Sequence, residues 1–330
     1  MAQVIPIREA ERRDPGRCRA VTSSGKRCRN RAIDAKGFCR VHLPTKPERI
    51  GPFDANTVRE QLEFLRRRLT GEYSVDDFGF DPELTERFWL PLLQPLGKYY
   101  WRVEWKGLEN VPSQGAALLV GNHAGTVAID ALVMKFGVLA EHPARRHVRL
   151  LAADLVFRLP FVGPMARKMG NTLAVEHDAL RLLTAGELIG VFPEGYKGVG
   201  KGWKERYRLQ RFGRGGFIEL ALRAKAPIVP VAIVGSEEIY PMIGNAKLIA
   251  RLAGMPYFPI TPFFPWLGPA GAIPLPSKWI IEFGEPISTE EYGDDAWQDT
   301  MLVFNMTDRI RDNIQQMLYR NLMHRRSTFF

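Results

Sequence analysis

Ala117-Leu118-Leu119-Val120-Gly121-Asn122-His123-Ala124-Gly125-Thr126-Val127-Ala128-Ile129-Asp130 carries an apolar run into a polar turn, and the amphipathic stretch DALVMKFGVLA, residues 130–140, follows at once. A short apolar run bounded by Gly and Asn has the length of a buried strand. The same alternation recurs as VRLLAA (148–153), as LIGVFPEG (188–195) before GGFIELALRAK (215–225), and as IVPVAIVG (228–235). Strands alternating with helical segments predict an α/β fold with a mixed, mostly parallel sheet flanked by helices. In such sheets the chemistry sits beyond the carboxyl ends of the strands, where the polar residues of these runs fall.

Two of those ends carry candidate chemistry. Histidine as a residue type suits a general base, which makes His123 the candidate, and Asp130 can hold its ring in the required tautomer. One continuous helix would separate the two by roughly 10 Å along its axis. Gly125 is therefore expected in a turn, with Asp130 near the start of the following helix. Asn122, beside His123, is a candidate substrate contact. The second end, Val191-Phe192-Pro193-Glu194-Gly195-Tyr196-Lys197-Gly198, is followed by Lys201, Lys204, Arg206, Arg208, Arg211 and Arg214. Cations at this density can orient a phosphate. Lys197 and Lys201, nearest the motif, are the first candidates.

The 330 residues suffice for one catalytic domain with a small appendage, and 45% hydrophobic with 25% charged content is that of a folded protein. The first fifty residues hold thirteen Lys/Arg against five Asp/Glu, so most of the net +10 belongs to that segment. The basicity therefore gives the catalytic body no nucleic-acid partner. A charged N-terminus without a signal-like apolar core predicts a cytoplasmic protein. No apolar run is long enough to span a bilayer. The closest, Leu248–Pro276, is broken by Pro and Gly. Within it, Pro256–Pro276 is a candidate surface for an acyl chain or a membrane, the alternative being a rigid apolar loop packed on the sheet. No Gly-x-Ser-x-Gly elbow is present to support a serine hydrolase.

Four regions follow: a basic module over 1–43, a linker with amphipathic and aromatic helices over 44–105, a catalytic domain over 106–290, and a C-terminal helix and tail over 291–330. Val58, Leu62, Leu65 and Leu69 predict a helix by their spacing, and a second begins near Pro82. The aromatic cluster Tyr99, Tyr100, Trp101 and Trp105 suits either a membrane interface or the domain core.

Together these residues resemble the phospholipid/glycerol acyltransferase family. The resemblance rests on NHAGTVAID as its histidine block, FPEGYKG as its glutamate block and IVPVAIVG as its Val-Pro strand, and covers Lys106–Pro286. Asp130 stands two residues beyond the usual family spacing, as in a subgroup that also shares the PWLGP and FGEPI segments. Tyr196-Lys197 replaces the usual Thr-Arg, and Glu176-His177 stand where a phosphate-binding Arg is common. The resemblance implies a glycerol-phosphate acyltransferase-like fold and a 1-acylglycerol-3-phosphate acyltransferase-like reaction. His123 would be the base and Asp130 its partner, with Glu194, Gly195 and Lys197 positioning the acceptor. Acyl-CoA or acyl carrier protein would be the donor, no catalytic metal would be needed, and the enzyme would sit peripherally on the inner face of a membrane. The alternatives are a glycolipid, diacylglycerol or wax-type acyltransferase, and a zinc-dependent binding protein for anionic lipid or nucleic acid with a degenerate acyltransferase body.

All three cysteines fall in the first forty residues: Cys18, Cys28 and Cys39, with His42 closing a C-x-x-H pair. Three thiolates and one imidazole make a closed tetrahedral set for structural Zn²⁺. The segment has few apolar residues, so metal binding would supply its folding energy. Elemental analysis of the purified chain should find about one zinc per chain, lost in Cys39→Ser. Full zinc content in that variant would overturn the assignment.

Overall fold

The structure, a computed structural model, describes residues 55–329. The expected Cys₃His set and the Leu43–Phe53 linker lie outside the described residues. Contacts divide the chain at Tyr73/Ser74 into two units. The described residues of the first unit, 55–73, hold helix α1, Ala55–Thr70, whose Leu62, Leu65 and Leu69 are exposed while Phe64 is buried.

The second unit is built on seven strands: β1 (Glu104–Lys106), β2 (Ala117–Gly121), β3 (Val148–Ala152), β4 (Thr172–Leu173), β5 (Leu188–Val191), β6 (Ile228–Val234) and, after a hairpin of β7 (Gly244–Asn245) and β8 (Pro259–Ile260), β9 (Ile280–Phe283). Their order is β1-β9-β6-β2-β5-β3-β4. Every pairing in this sheet is parallel except β6 with β9. The mixed, mostly parallel sheet expected from sequence is therefore present. β2 lies at the centre between β5 and β6, so the three polar strand ends emerge side by side.

Both faces of the sheet are covered, which is why β2 and β6 read as unbroken apolar runs. Leu118, Val120, Ile228, Ala232 and Val234 enter one core, shared with Val303, Met306, Ile310, Ile314 and Leu318 of the C-terminal helix. The alternate residues Ala117, Leu119, Val229, Val231 and Ile233 enter the other, with Trp101, Met134 and Trp279. The helix over Thr300–His324 is thus core structure, and the aromatic cluster splits: Trp101 is buried while Tyr99 is exposed.

Helix α2, Ile129–Glu141, packs its Met134 and Val138 on the sheet and also buries Lys135. The Lys135 ammonium nitrogen donates to the Met169 carbonyl and, at 3.3 Å, to Asn171 Oδ1. Burial, with the nearby Arg149 guanidinium as a smaller cause, lowers its pKa to about 7. Between that value and the unfolded value near 10.4, the unfolded chain binds a proton that the native chain does not. Stability should therefore rise with pH across this window. Lys135→Met should flatten the rise, by up to about 1.4 kcal/mol per pH unit. Urea melts from neutral to alkaline pH test this, and identical slopes for both chains would contradict it.

Candidate functional site

His123 follows β2 directly, and the chain then turns sharply. Gly125 sits at φ +95°, where a Cβ would come within 2.6 Å of the Ser236 carbonyl oxygen, so only glycine fits. The turn brings Asp130, second residue of α2, back toward the ring. His123 Nδ1 lies 2.8 Å from Asp130 Oδ2. The same oxygen accepts the Ala124 N–H at 2.8 Å, and Oδ1 accepts the Ala131 N–H at 2.8 Å. A carboxylate so placed also faces the positive end of the helix. Asp130 thereby selects the tautomer with the proton on Nδ1, leaving the Nε2 lone pair without a protein partner among the described residues. The imidazole stacks on Phe192 at 4.6 Å, and its side chain is 12% exposed.

The glutamate block packs against this turn from β5. Glu194 is buried, and its Oε1 accepts the His123 N–H at 2.9 Å while Oε2 accepts the Gln210 N–H at 2.6 Å. Lys201 lies between Glu194 Oε2 at 3.4 Å and Glu237 Oε1 at 3.1 Å, and donates at 3.3 Å to the Arg208 carbonyl. Burial opposes the Lys201 charge, but Glu237 and Glu194 outweigh it and hold its pKa above the ordinary value. Burial also lifts Glu237 to about 7, with Lys201 pulling the other way. Asn122 is wholly buried: its Nδ2 donates to the Ile233 carbonyl at 3.0 Å and its Oδ1 accepts the Ile233 N–H at 2.7 Å.

Asn122, Glu194 and Lys201, read from sequence as substrate contacts, therefore point into the protein with their polar atoms engaged. Gly195 and Lys197 are exposed on the turn that follows Glu194. That turn touches the histidine: a Cβ on Gly198 would come within 2.7 Å of the His123 carbonyl oxygen. Lys204, Arg208, Arg211 and Arg214 are exposed farther along. Sequence reasoning missed Glu237 and Gln210, as well as Tyr257, whose hydroxyl donates at 2.6 Å to the Thr126 carbonyl in the turn after the histidine. Glu237 was within reach, since it lies in the turn after β6 just as His123 lies in the turn after β2. Gln210 acts through its backbone N–H and Tyr257 through a hydroxyl bound to a main-chain carbonyl, and neither left a signal in the sequence.

An apolar groove of about 440 Å³ lies on the far side of α2. Ile129, Val133 and Phe136 of that helix form one wall; Leu93, Leu96 and Trp105 form others. The volume is that of a small-molecule site, usually about 300–1,000 Å³. No helix among the described residues is long and apolar enough to cross a membrane.

Removing the Lys201 ammonium would leave two buried carboxylates without their shared cation, a loss of about 3–5 kcal/mol. Lys201→Met should lose stability on that scale, whereas Lys197→Met, at an exposed position, should stay within about 0.5 kcal/mol of the parent. Denaturant melts compare them, and equal stabilities would contradict this geometry.

Residues 102–234 match the family model described as Acyltransferase. An uncharacterized protein of Mycobacterium tuberculosis is 59% identical over 276 residues, covering 84% of this chain and 77% of that protein. A Gallus gallus protein named DGAT1/2-independent enzyme synthesizing storage lipids is 27% identical over 238 residues, covering 71% of this chain and 67% of its own. The crystal structure of PlsC, the 1-acyl-sn-glycerophosphate acyltransferase of Thermotoga maritima, has the same fold, with a TM-score of 0.50 at 17% identity over 82% of this chain and 91% of that one. The family model matches the region that contains His123, Asp130 and the whole glutamate block, so the domain over residues 102–234 is of the acyltransferase family.

Proposed function

We propose that the protein moves a fatty acyl group from the thioester of acyl-CoA or acyl carrier protein to the hydroxyl of a lysophospholipid or related glycerolipid. The observation that carries this reading is the His123–Asp130 pair, with Nδ1 engaged at 2.8 Å and Nε2 left available. Nε2 takes the proton of the acceptor hydroxyl as its oxygen attacks the thioester carbonyl. The new C–O bond forms, the C–S bond breaks, and the proton passes from the imidazolium to the departing sulfur. Asp130 stabilises the imidazolium while it exists.

Glu194 and Lys201 serve this chemistry without touching the substrate. Through the His123 N–H and the Gln210 N–H, Glu194 fixes the backbone that aims the ring, and orientation supplies much of the rate. Contact with an anionic headgroup falls to Lys197, exposed on the adjoining turn. The groove beside α2 suits the acyl chain, since each methylene buried there contributes about 0.8 kcal/mol. A neutral glycerolipid acceptor is the second reading. It is favoured by the inward placement of Lys201, which leaves one cation of the expected pair at the mouth, and by the storage-lipid name of the Gallus gallus relative.

Labelled long-chain acyl-CoA or acyl carrier protein, offered with lysophospholipid, glycolipid and diacylglycerol acceptors, tests the proposal. The wild type should form an acylated lipid and His123→Ala should lose at least about a hundredfold in rate. Lys197→Ala should raise KM for a phosphorylated acceptor while leaving a neutral one unaffected. Unchanged turnover in His123→Ala, or thioester left intact across the whole panel, would overturn the reading.

A further inference from the structure

The chain between β6 and β9 departs from the sheet and returns. Between Glu238 and Glu282 it contains no acidic residue, and its charges are Lys247, Arg251 and Lys278 alone. Within it, Ile243, Leu248, Leu252, Trp266, Leu267 and Ile273 are each more than half exposed. Scattered apolar surface residues are ordinary, but six large ones in a stretch without an acid are not.

The excursion is built to hold this surface in place. β7 and β8 pair Gly244 with Ile260 and Asn245 with Pro259. The Tyr240 hydroxyl donates to the Ala272 carbonyl at 2.5 Å, and the Leu275 N–H to the Ile239 carbonyl at 2.9 Å. Two further bonds set its position. Tyr257 ties it to the Thr126 carbonyl in the turn that follows His123, and the Tyr100 hydroxyl donates to the Pro274 carbonyl at 2.6 Å, at the edge of the apolar groove. Beyond Tyr100, the helical stretch Pro82–Tyr100 exposes a second stripe, Phe88, Leu92, Leu96 and Tyr99, at three- and four-residue spacing.

We propose that the excursion seats the enzyme on an anionic lipid surface. The short helix Lys247–Leu252 places Lys247 and Arg251 four residues apart and Leu248 and Leu252 beside them, a row of cations next to a row of leucines. Leucines enter the acyl boundary while the cations stay with lipid phosphates, the arrangement of an interfacial helix. Trp266 and the prolines around it supply the amphipathic, rigid contact that suits the headgroup layer. The absence of acids removes repulsion from anionic lipid. Seating here places both the catalytic turn and the groove against the bilayer, where a glycerolipid acceptor resides. In that respect the inference rests on the function proposed above.

Flotation of the full chain with vesicles of phosphatidylcholine, with and without phosphatidylglycerol, tests it. The wild type and His123→Ala should both float, more strongly with phosphatidylglycerol. The double variant Leu248→Asp/Leu252→Asp, and separately Trp266→Asp, should lose at least about tenfold in partitioning. Lys247→Glu/Arg251→Glu should lose the preference for phosphatidylglycerol. Circular dichroism and turnover on detergent-dispersed acceptor should match the parent, so that misfolding is not mistaken for lost docking. Flotation unaltered in both apolar variants, or a wild type that floats on neither vesicle, overturns the inference while leaving turnover in detergent intact. Flotation that depends on these residues in a chain with no transferase activity supports the docking surface and sinks the proposed function instead.

Discussion

The Glu194 carboxylate joins the three strand ends on which the site depends. A charge taken out of water is costly unless each lone pair finds a donor. Here the donors are the amides of His123 and Gln210 and the Lys201 ammonium, which itself needs Glu237 as a second anion. The first amide belongs to the turn after β2 and Glu237 to the end of β6, while Glu194 itself ends β5. Satisfying one buried carboxylate therefore requires three neighbouring strand ends to be in register. The histidine backbone is fixed as a by-product of that requirement.

Asn122 applies the same logic one residue earlier. Its amide makes both of its bonds to the main chain of Ile233, so β2 is locked to β6 immediately before the catalytic turn begins. From there the ring has little freedom. Its backbone is held through Glu194, one face by Phe192 and one nitrogen by Asp130. Ring orientation set by packing and buried bonds is pre-paid during folding and costs nothing at the moment of reaction.

The sheet was legible because its signal is local. β2, β5 and β6 are apolar runs that end in Gly, Pro or polar residues, and period and length suffice to place them. The Gly125 turn was legible too, since a continuous helix would hold His123 and Asp130 too far apart. The destinations of Glu194 and Lys201 were not. A carboxylate after a strand reads the same whether it faces a ligand or two amides, and the second amide, of Gln210, lies sixteen residues away with no side-chain signal. Lys201 was selected for its nearness in sequence, but its burial is decided by Glu237, in the turn that follows β6. β9 was hidden for a related reason: with four residues, antiparallel to β6 and parallel to β1, it is too short for periodicity to declare.

Helix α2 connects the chemistry to the apolar groove. Its first turn carries Asp130 under the histidine, and its outer face carries Ile129, Val133 and Phe136 into the groove wall. Neighbouring residues of a helix point about 100° apart, so Ile129 and Asp130 divide its N-terminus between a buried carboxylate and an open apolar surface. Any displacement of α2 by a bulky occupant of the groove would act on the 2.8 Å contact between Asp130 and His123. The inner face resists such movement, because Met134 and Val138 are fully buried against the sheet and Lys135 is bound to the loop after Met169. A close-packed interior has low compressibility, so a face packed at that density yields little to a push from the groove. The buried face of α2 thus allows the groove to take an apolar ligand while the histidine keeps its geometry.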